Sequence, residues 1–191
     1  MIVGLTGGIG SGKSVVAKVF ETLGAKIFNS DNKAKEAYAD PYIKRKVIDL
    51  LGEKSYKNGK LNKSHISEVI FSDEELRLKL NGIIHPFVGD AFKSFVEKNR
   101  NSLVIKESAL LVELKLHNEL DKLIVVTSPL SLRIERIMKR DGLSKEAVIN
   151  KINAQSTDEQ KSTVADYVII NDEEQAIIPQ VLKIYQELTD V

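Results

Sequence analysis

Gly7-Gly8-Ile9-Gly10-Ser11-Gly12-Lys13-Ser14 is the stretch on which the reading of this chain turns. It matches G-x-x-x-x-G-K-[ST], a loop whose backbone N–H groups curl around a phosphate. Glycine tolerates the dihedrals of such a curl and lets the backbone come close to an anion. Ile2-Val3-Gly4-Leu5, just before it, reads as a short buried strand. From Lys13 to Leu23 the apolar residues Val15, Val16, Val19, Phe20 and Leu23 recur at helical spacing. A strand, a glycine loop and a helix with its positive end at the loop are the context the motif needs. The expected roles follow: Gly8, Ile9, Gly10, Ser11 and Gly12 cradle nucleotide phosphates, Lys13 reaches the β- and γ-phosphates, and Ser14 holds Mg²⁺.

Working outward, four further apolar runs read as strands: Lys26–Asn29, Leu103–Ile105, Leu123–Val126 and Tyr167–Ile170. Helical stretches separate them, so the expected fold is α/β, a five-stranded parallel sheet flanked by helices in one domain over 1–191. Residues from about 32 to 100 read as mostly helical, broken at Asp40-Pro41 and at Asn58-Gly59, and form an expected inserted subdomain. Pro86 suits the first turn of a helix running to Asn99. Ser30 or Asp31 suits a cap after the second strand, and Ser144 caps a later helix. The last helix is expected from near Glu174.

The 191 residues carry a formal net charge of +1, without the basic excess of a general polyanion binder, so no nucleic-acid partner is expected. There are no cysteines, which excludes disulfides, thiolate metal sites and cysteine nucleophiles. The apolar run Met1–Ile9 is too short for a secretory leader and meets Lys13 at once. No stretch approaches the roughly 18 apolar residues of a membrane span. A soluble, cytoplasmic protein without a membrane partner is expected.

The loop implies a nucleoside triphosphate but not a reaction. A GTPase would need N-K-x-D, and Asn32-Lys33-Ala34-Lys35 lacks the final Asp. A small kinase fits better, because three features suit a phosphoryl acceptor. Asp31, just past the second strand, is placed to take a proton from an attacking hydroxyl or to hold a Mg²⁺-bound water; it also suits a helix cap. Arg133, Arg136 and Arg140, spaced by three and four, share a helical face that can clamp a transferring phosphoryl group; a solvated basic face is the plainer reading. His85-Pro86 offers a donor to an acceptor, or is simply a helix start.

With these residues laid out, the chain resembles the dephospho-coenzyme A kinases over nearly its whole length. Gly4–Ser14 is very similar to that family's opening. Asn29-Ser30-Asp31 occupies its Asp-x-Asp position, Ile84-His85-Pro86 with the earlier Phe71 its His-Pro motif, and Ala109–Glu113 its Pro-Leu-Leu-Phe-Glu segment. Arg136-x-x-x-Arg140-Asp141 resembles its lid arginines, and Gln155, Ala165-Asp166 and Asn171 its C-terminal signature. The resemblance implies transfer of the γ-phosphoryl group of ATP to the ribose 3′-hydroxyl of dephospho-CoA, with Mg²⁺. It implies Lys13, Asp31 and Arg140 in catalysis, and Arg136 and Asn171 at ATP, with Asn171 near the adenine. Asp31, His85 and Glu113 would hold the acceptor, the 32–100 subdomain would bind it, and a helical lid would span about 131–155. Asn29 replaces the first Asp of the family's pair, so the acidic role falls to Asp31. Lys35 stands where Arg is frequent and loses the bidentate fork. Another nucleotide or small-molecule kinase on the same scaffold is the alternative, and a nucleotide switch without an acceptor a further one.

Overall fold

Along Lys122–Thr127 the side chains alternate between two cores: Ile124 and Val126 join one buried cluster, Leu123 and Val125 another. A strand buried on both faces needs a layer on each side. The computed structural model describes residues 1–190, except for the side chains of Phe71 and Ser72. The expectation attached to Phe71 therefore lies outside the described residues.

In chain order the elements are β1 (Ile2–Thr6), α1 (Lys13–Thr22), β2 (Lys26–Asn29), α2 (Ser30–Ala37), α3 (Pro41–Leu51), β3 (Tyr56–Lys57), β4 (Lys60–Leu61), α4 (Lys63–Ser72), α5 (Glu74–Lys98), β5 (Val104–Glu107), β6 (Lys122–Thr127), α6 (Leu130–Asp141), α7 (Lys145–Asn153), α8 (Asp158–Ser162), β7 (Tyr167–Ile170) and α9 (Ile177–Thr189). They divide into two compact units, Met1–Asn29 with Lys98–Val191, and Ser30–Glu97.

The first unit is built on a five-stranded sheet in the order β2-β5-β1-β6-β7. Every pairing in it is parallel. All strands thus end at one edge, and the register sets Leu5 and Asn29 on either side of Glu107. One face packs Val16 and Phe20 of α1 and Val181, Ile184 and Leu188 of α9 onto Val3, Leu5, Ile105 and Ile169. The other face is smaller, with Leu111 packed on Leu123 and Val125. Truncating the fully buried Phe20 to alanine would remove about 3–5 kcal/mol.

β5 extends past the apolar run to Lys106 and Glu107, both buried. Burial lowers the Lys106 pKa, and Glu119 opposes the shift. α9 begins three residues after the expected start at Glu174. Asp172 Oδ1 accepts the amides of Glu174 (3.0 Å) and Gln175 (2.8 Å), closing a turn there first.

The second unit has its own core of Ala37, Ile43, Val47, Ile66, Leu80 and Ile84. α2 follows β2 without a break, so Ser30 and Asp31 lie in its first turn rather than before it. Asp40 caps α3 through the amides of Tyr42 (2.9 Å) and Ile43 (3.1 Å), with Pro41 at the first position. The turn expected at Asn58-Gly59 joins a two-stranded hairpin that the helical reading of this stretch had not included. Positive φ at both residues, 52° and 76°, gives the primed turn that hairpins favour.

Pro86 corrects an expectation. It sits inside α5, twelve residues past Glu74, and does not open a helix. The start signal is Asp73, whose Oδ1 accepts the Leu76 amide at 2.9 Å. Leu80 and Ile84 are buried four apart just upstream of Pro86, and Phe87 and Val88 pack on the same core just after it. That continuous apolar face outweighs the roughly 3 kcal/mol that an internal proline costs a helix. No helix among the described residues is long and apolar enough to cross a membrane.

Candidate active site

The glycine loop leaves β1 and enters α1 at Lys13, with Gly12 at the helix cap. Gly12 has φ 97°, and a Cβ there would lie 2.1 Å from Asn171 Nδ2. Only glycine meets both constraints. A Cβ at Gly8 would lie 2.1 Å from the Arg133 guanidinium, so the loop is pressed against its supports.

Those supports take the loop's carbonyls one after another. Lys13 Nζ donates to Gly7 O (2.8 Å) and Gly8 O (3.2 Å). Arg133 Nε donates to Ile9 O at 3.0 Å, Arg136 Nη1 to Gly10 O at 3.4 Å, and Asn171 Nδ2 to Ser11 O at 2.7 Å. The Ile9 amide donates to Gln155 Oε1 at 2.8 Å. Arg133 is buried and held by Asp158 at 3.0 Å. Arg136 also reaches Ser128 Oγ (3.0 Å) and Glu173 (2.8 Å), and its contact with Asn171 Oδ1 is 3.5 Å.

The expected three-arginine clamp is therefore not what this conformation shows. Arg133 and Arg136 brace the loop from behind. Arg140, near the exposed C-terminal end of α6, donates instead to both carboxylate oxygens of Asp141, at 2.7 and 2.9 Å. The Arg140 hydrogen bond holds the Asp141 carboxyl below its ordinary value.

At the sheet edge, Ser14 Oγ donates to Glu107 Oε1 at 3.0 Å, and Asn29 Nδ2 donates to Glu107 Oε2 at 2.7 Å. Glu107 is 5% exposed. Glu113, expected at the acceptor, has an internal partner: its Oε1 accepts the fully buried Lys161 ammonium and the Ser156 amide (3.0 Å). That pair ties the 109–113 turn to the 156–161 segment.

The second unit carries the other expected residues. Asp31 is exposed in the first turn of α2, and His85 is exposed within α5. Lys35 Nζ donates to Asn32 Oδ1 at 3.1 Å. A cavity of about 580 Å³ in this unit has walls of Tyr38, Tyr56, Leu61 and Ile66, with Lys35, Lys60 and Lys63 also lining it.

The family model of the dephospho-CoA kinases matches residues 1–176. The chain belongs to the dephospho-CoA kinase family. It is 40% identical over 184 residues to a dephospho-CoA kinase from Bacteroides fragilis, covering 95% of this chain and 90% of that protein. It is 36% identical over 172 residues to one from Fusobacterium nucleatum, covering 90% and 89%. Among solved structures, a Thermus thermophilus protein superposes with a TM-score of 0.90 at 30% identity, over 99% of this chain and 97% of that one. The dephospho-CoA kinase from Campylobacter jejuni gives 0.71 at 26%, with the same coverage. A shikimate kinase from Acinetobacter baumannii, at 0.53 and 18%, shares the fold.

Within this dephospho-CoA kinase family member, sequence reasoning missed Glu107 because the third strand was read as ending with its apolar residues at Ile105. The available signal was a carboxylate two residues further on, at the ligand-bearing ends of parallel strands. Arg133 and Gln155 were also missed as loop braces, since only the folded chain brings positions more than a hundred residues away onto Ile9.

Proposed function

We propose that this kinase transfers the γ-phosphoryl group of ATP to the ribose 3′-hydroxyl of dephospho-CoA, giving CoA and ADP, the last step of coenzyme A synthesis. The observation that carries this reading is the glycine loop with its carbonyls drawn to Lys13, Arg133, Arg136 and Asn171, in a chain that the dephospho-CoA kinase family covers over residues 1–176. With the carbonyls engaged in this way, the start of α1 and its positive end suit an anion.

In this reading Lys13 exchanges a loop carbonyl for the β- and γ-phosphates. The 3′-oxygen attacks the γ-phosphorus, the bond to the β,γ-bridging oxygen breaks, and ADP leaves with that oxygen. Asp31 takes the hydroxyl proton or orients the hydroxyl. Arg136 already sits at the loop, and Arg140 would leave Asp141 to offset phosphoryl charge from the 131–155 lid. Mg²⁺ fits Ser14: its hydroxyl lies 3.0 Å from a buried carboxylate, the hard oxygen environment that this cation takes. When bound, the cation would neutralise charge on the β- and γ-oxygens. His85 and the cavity of the second unit, with apolar walls and lysines, suit an acceptor with an extended arm and phosphates. The reaction needs only cytoplasmic metabolites, which agrees with a chain lacking cysteine.

The test is ADP release from Mg²⁺-ATP with dephospho-CoA, with nucleoside monophosphates and with shikimate. Stimulation by dephospho-CoA alone is expected. Stimulation by another acceptor alone would void the acceptor reading while keeping the phosphate loop.

A further inference from the structure

Lys161 is completely buried, yet it belongs to α8, a helix of only five residues. Its ammonium donates to Glu113 Oε1 and reaches Ala109 O at 3.4 Å. The same Glu113 oxygen accepts the Ser156 amide at 3.0 Å. One carboxylate therefore holds both the segment that leads into α8 and the last turn of α8. Stability alone does not account for a pair in this place. Taking both charges out of water costs about as much as their attraction returns, and an apolar pair of similar volume is often as stable. Isolated helices below roughly 12–15 residues are marginal in water, so the placement of α8 depends on tertiary contacts such as this one.

The segment placed in this way reaches the phosphate loop by two routes. Gln155 Oε1 accepts the Ile9 amide at 2.8 Å. Asp158 Oδ1 accepts Arg133 Nη1 at 3.0 Å, and Arg133 Nε donates to Ile9 O at 3.0 Å. Both backbone groups of Ile9 are thus held from residues 155–158, one directly and one through Arg133. Asp158 and Lys161, at i and i+3, lie along one face of α8, so the anchor and the brace move together.

We infer that Glu113 and Lys161 are positioning residues for ATP: their pair sets the 155–158 segment, and that segment sets Ile9 and the curl of the phosphate loop. Glu113 then serves the nucleotide side of the reaction and touches neither ATP nor the acceptor. Small shifts are enough for such an effect, since a misplacement of about 1 Å from a remote change can cost on the order of 10²-fold in rate. The inference rests on the reading of the glycine loop as the ATP site.

The experiment is calorimetric binding of a non-hydrolysable ATP analogue to the whole protein, beside thermal melts and steady-state KM values for ATP and dephospho-CoA. Glu113→Leu/Lys161→Met replaces the pair by apolar side chains, and its melt should stay near the parent's. Its ATP affinity should fall roughly 3- to 30-fold, the range for couplings carried through a packed network, with KM for dephospho-CoA unchanged. Gln155→Ala should weaken ATP binding in the parent and add little in the paired variant, because members of one network do not act additively. Additive losses, or no effect of Gln155→Ala in the parent, would overturn the route through Ile9. Glu113→Gln keeps the shape and an acceptor oxygen while leaving Lys161 uncompensated; it should lose ATP affinity too, and it keeps the test readable if the paired variant folds poorly. A rise confined to KM for dephospho-CoA would overturn the inference and make Glu113 an acceptor contact. Unchanged ATP affinity in the folded variants would overturn the role of the pair and spare the loop reading. A parent that binds no ATP analogue would remove the loop reading and the inference together.

Discussion

Lys13 lies folded against the carbonyls of Gly7 and Gly8, so its ammonium is held at the loop before any nucleotide arrives. A donor fixed in advance costs little reorganisation when charge develops on the phosphoryl group. Lys13→Ala is expected to lower kcat roughly 100-fold or more, with the melting curve little changed; steady-state kinetics beside a thermal melt will check it. Gly12 is constrained twice, by φ 97° and by Asn171 Nδ2 at 2.1 Å from a Cβ. Gly12→Ala should cost about 1–3 kcal/mol of stability, and should also weaken ATP binding, because Asn171 can no longer hold Ser11 O. Denaturant titration and nucleotide binding together read both effects. Asp31 was legible as a candidate from its place after the second strand. Asp31→Asn should lower turnover about 10²- to 10⁴-fold with ATP binding retained. Glu113 was read as an acceptor contact from its motif neighbours, and its pairing with the buried Lys161, 48 residues away in sequence, was not legible.

Strong local signals made most elements readable. β2 and β7 run as expected, since each is a short apolar run closed by a polar residue. α5 was not, because proline is a start signal in isolation and tertiary packing of Leu80, Ile84, Phe87 and Val88 overrides it. Pro86→Ala should therefore stabilise the protein, by up to about 3 kcal/mol if the ring strains the helix fully; a higher denaturation midpoint in urea is the check. The end of α6 offers a pH prediction. The Arg140 hydrogen bond lowers the Asp141 pKa below its ordinary 3.8. A depressed carboxyl adds stability above its unfolded pKa, and that stability is lost as pH falls through the folded value. Carboxyl-carbon NMR should show Asp141 titrating below 3.8, and Arg140→Ala should return it upward.

At the scale of the molecule, the parallel five-stranded sheet was legible because alternating apolar strands and helices admit few arrangements. What the sequence hid was pairing at long range: which residue backs which carbonyl of the loop, and that the last residue of β5 meets Ser14. The central claim concerns what the assembled chain does, and phosphorus NMR of the products tests it most directly. Purified protein given Mg²⁺-ATP and dephospho-CoA should yield ADP and a new 3′-phosphomonoester in equal amounts, with neither formed when the acceptor is left out. ADP and inorganic phosphate released alike with and without dephospho-CoA, and no new phosphomonoester, would contradict the account.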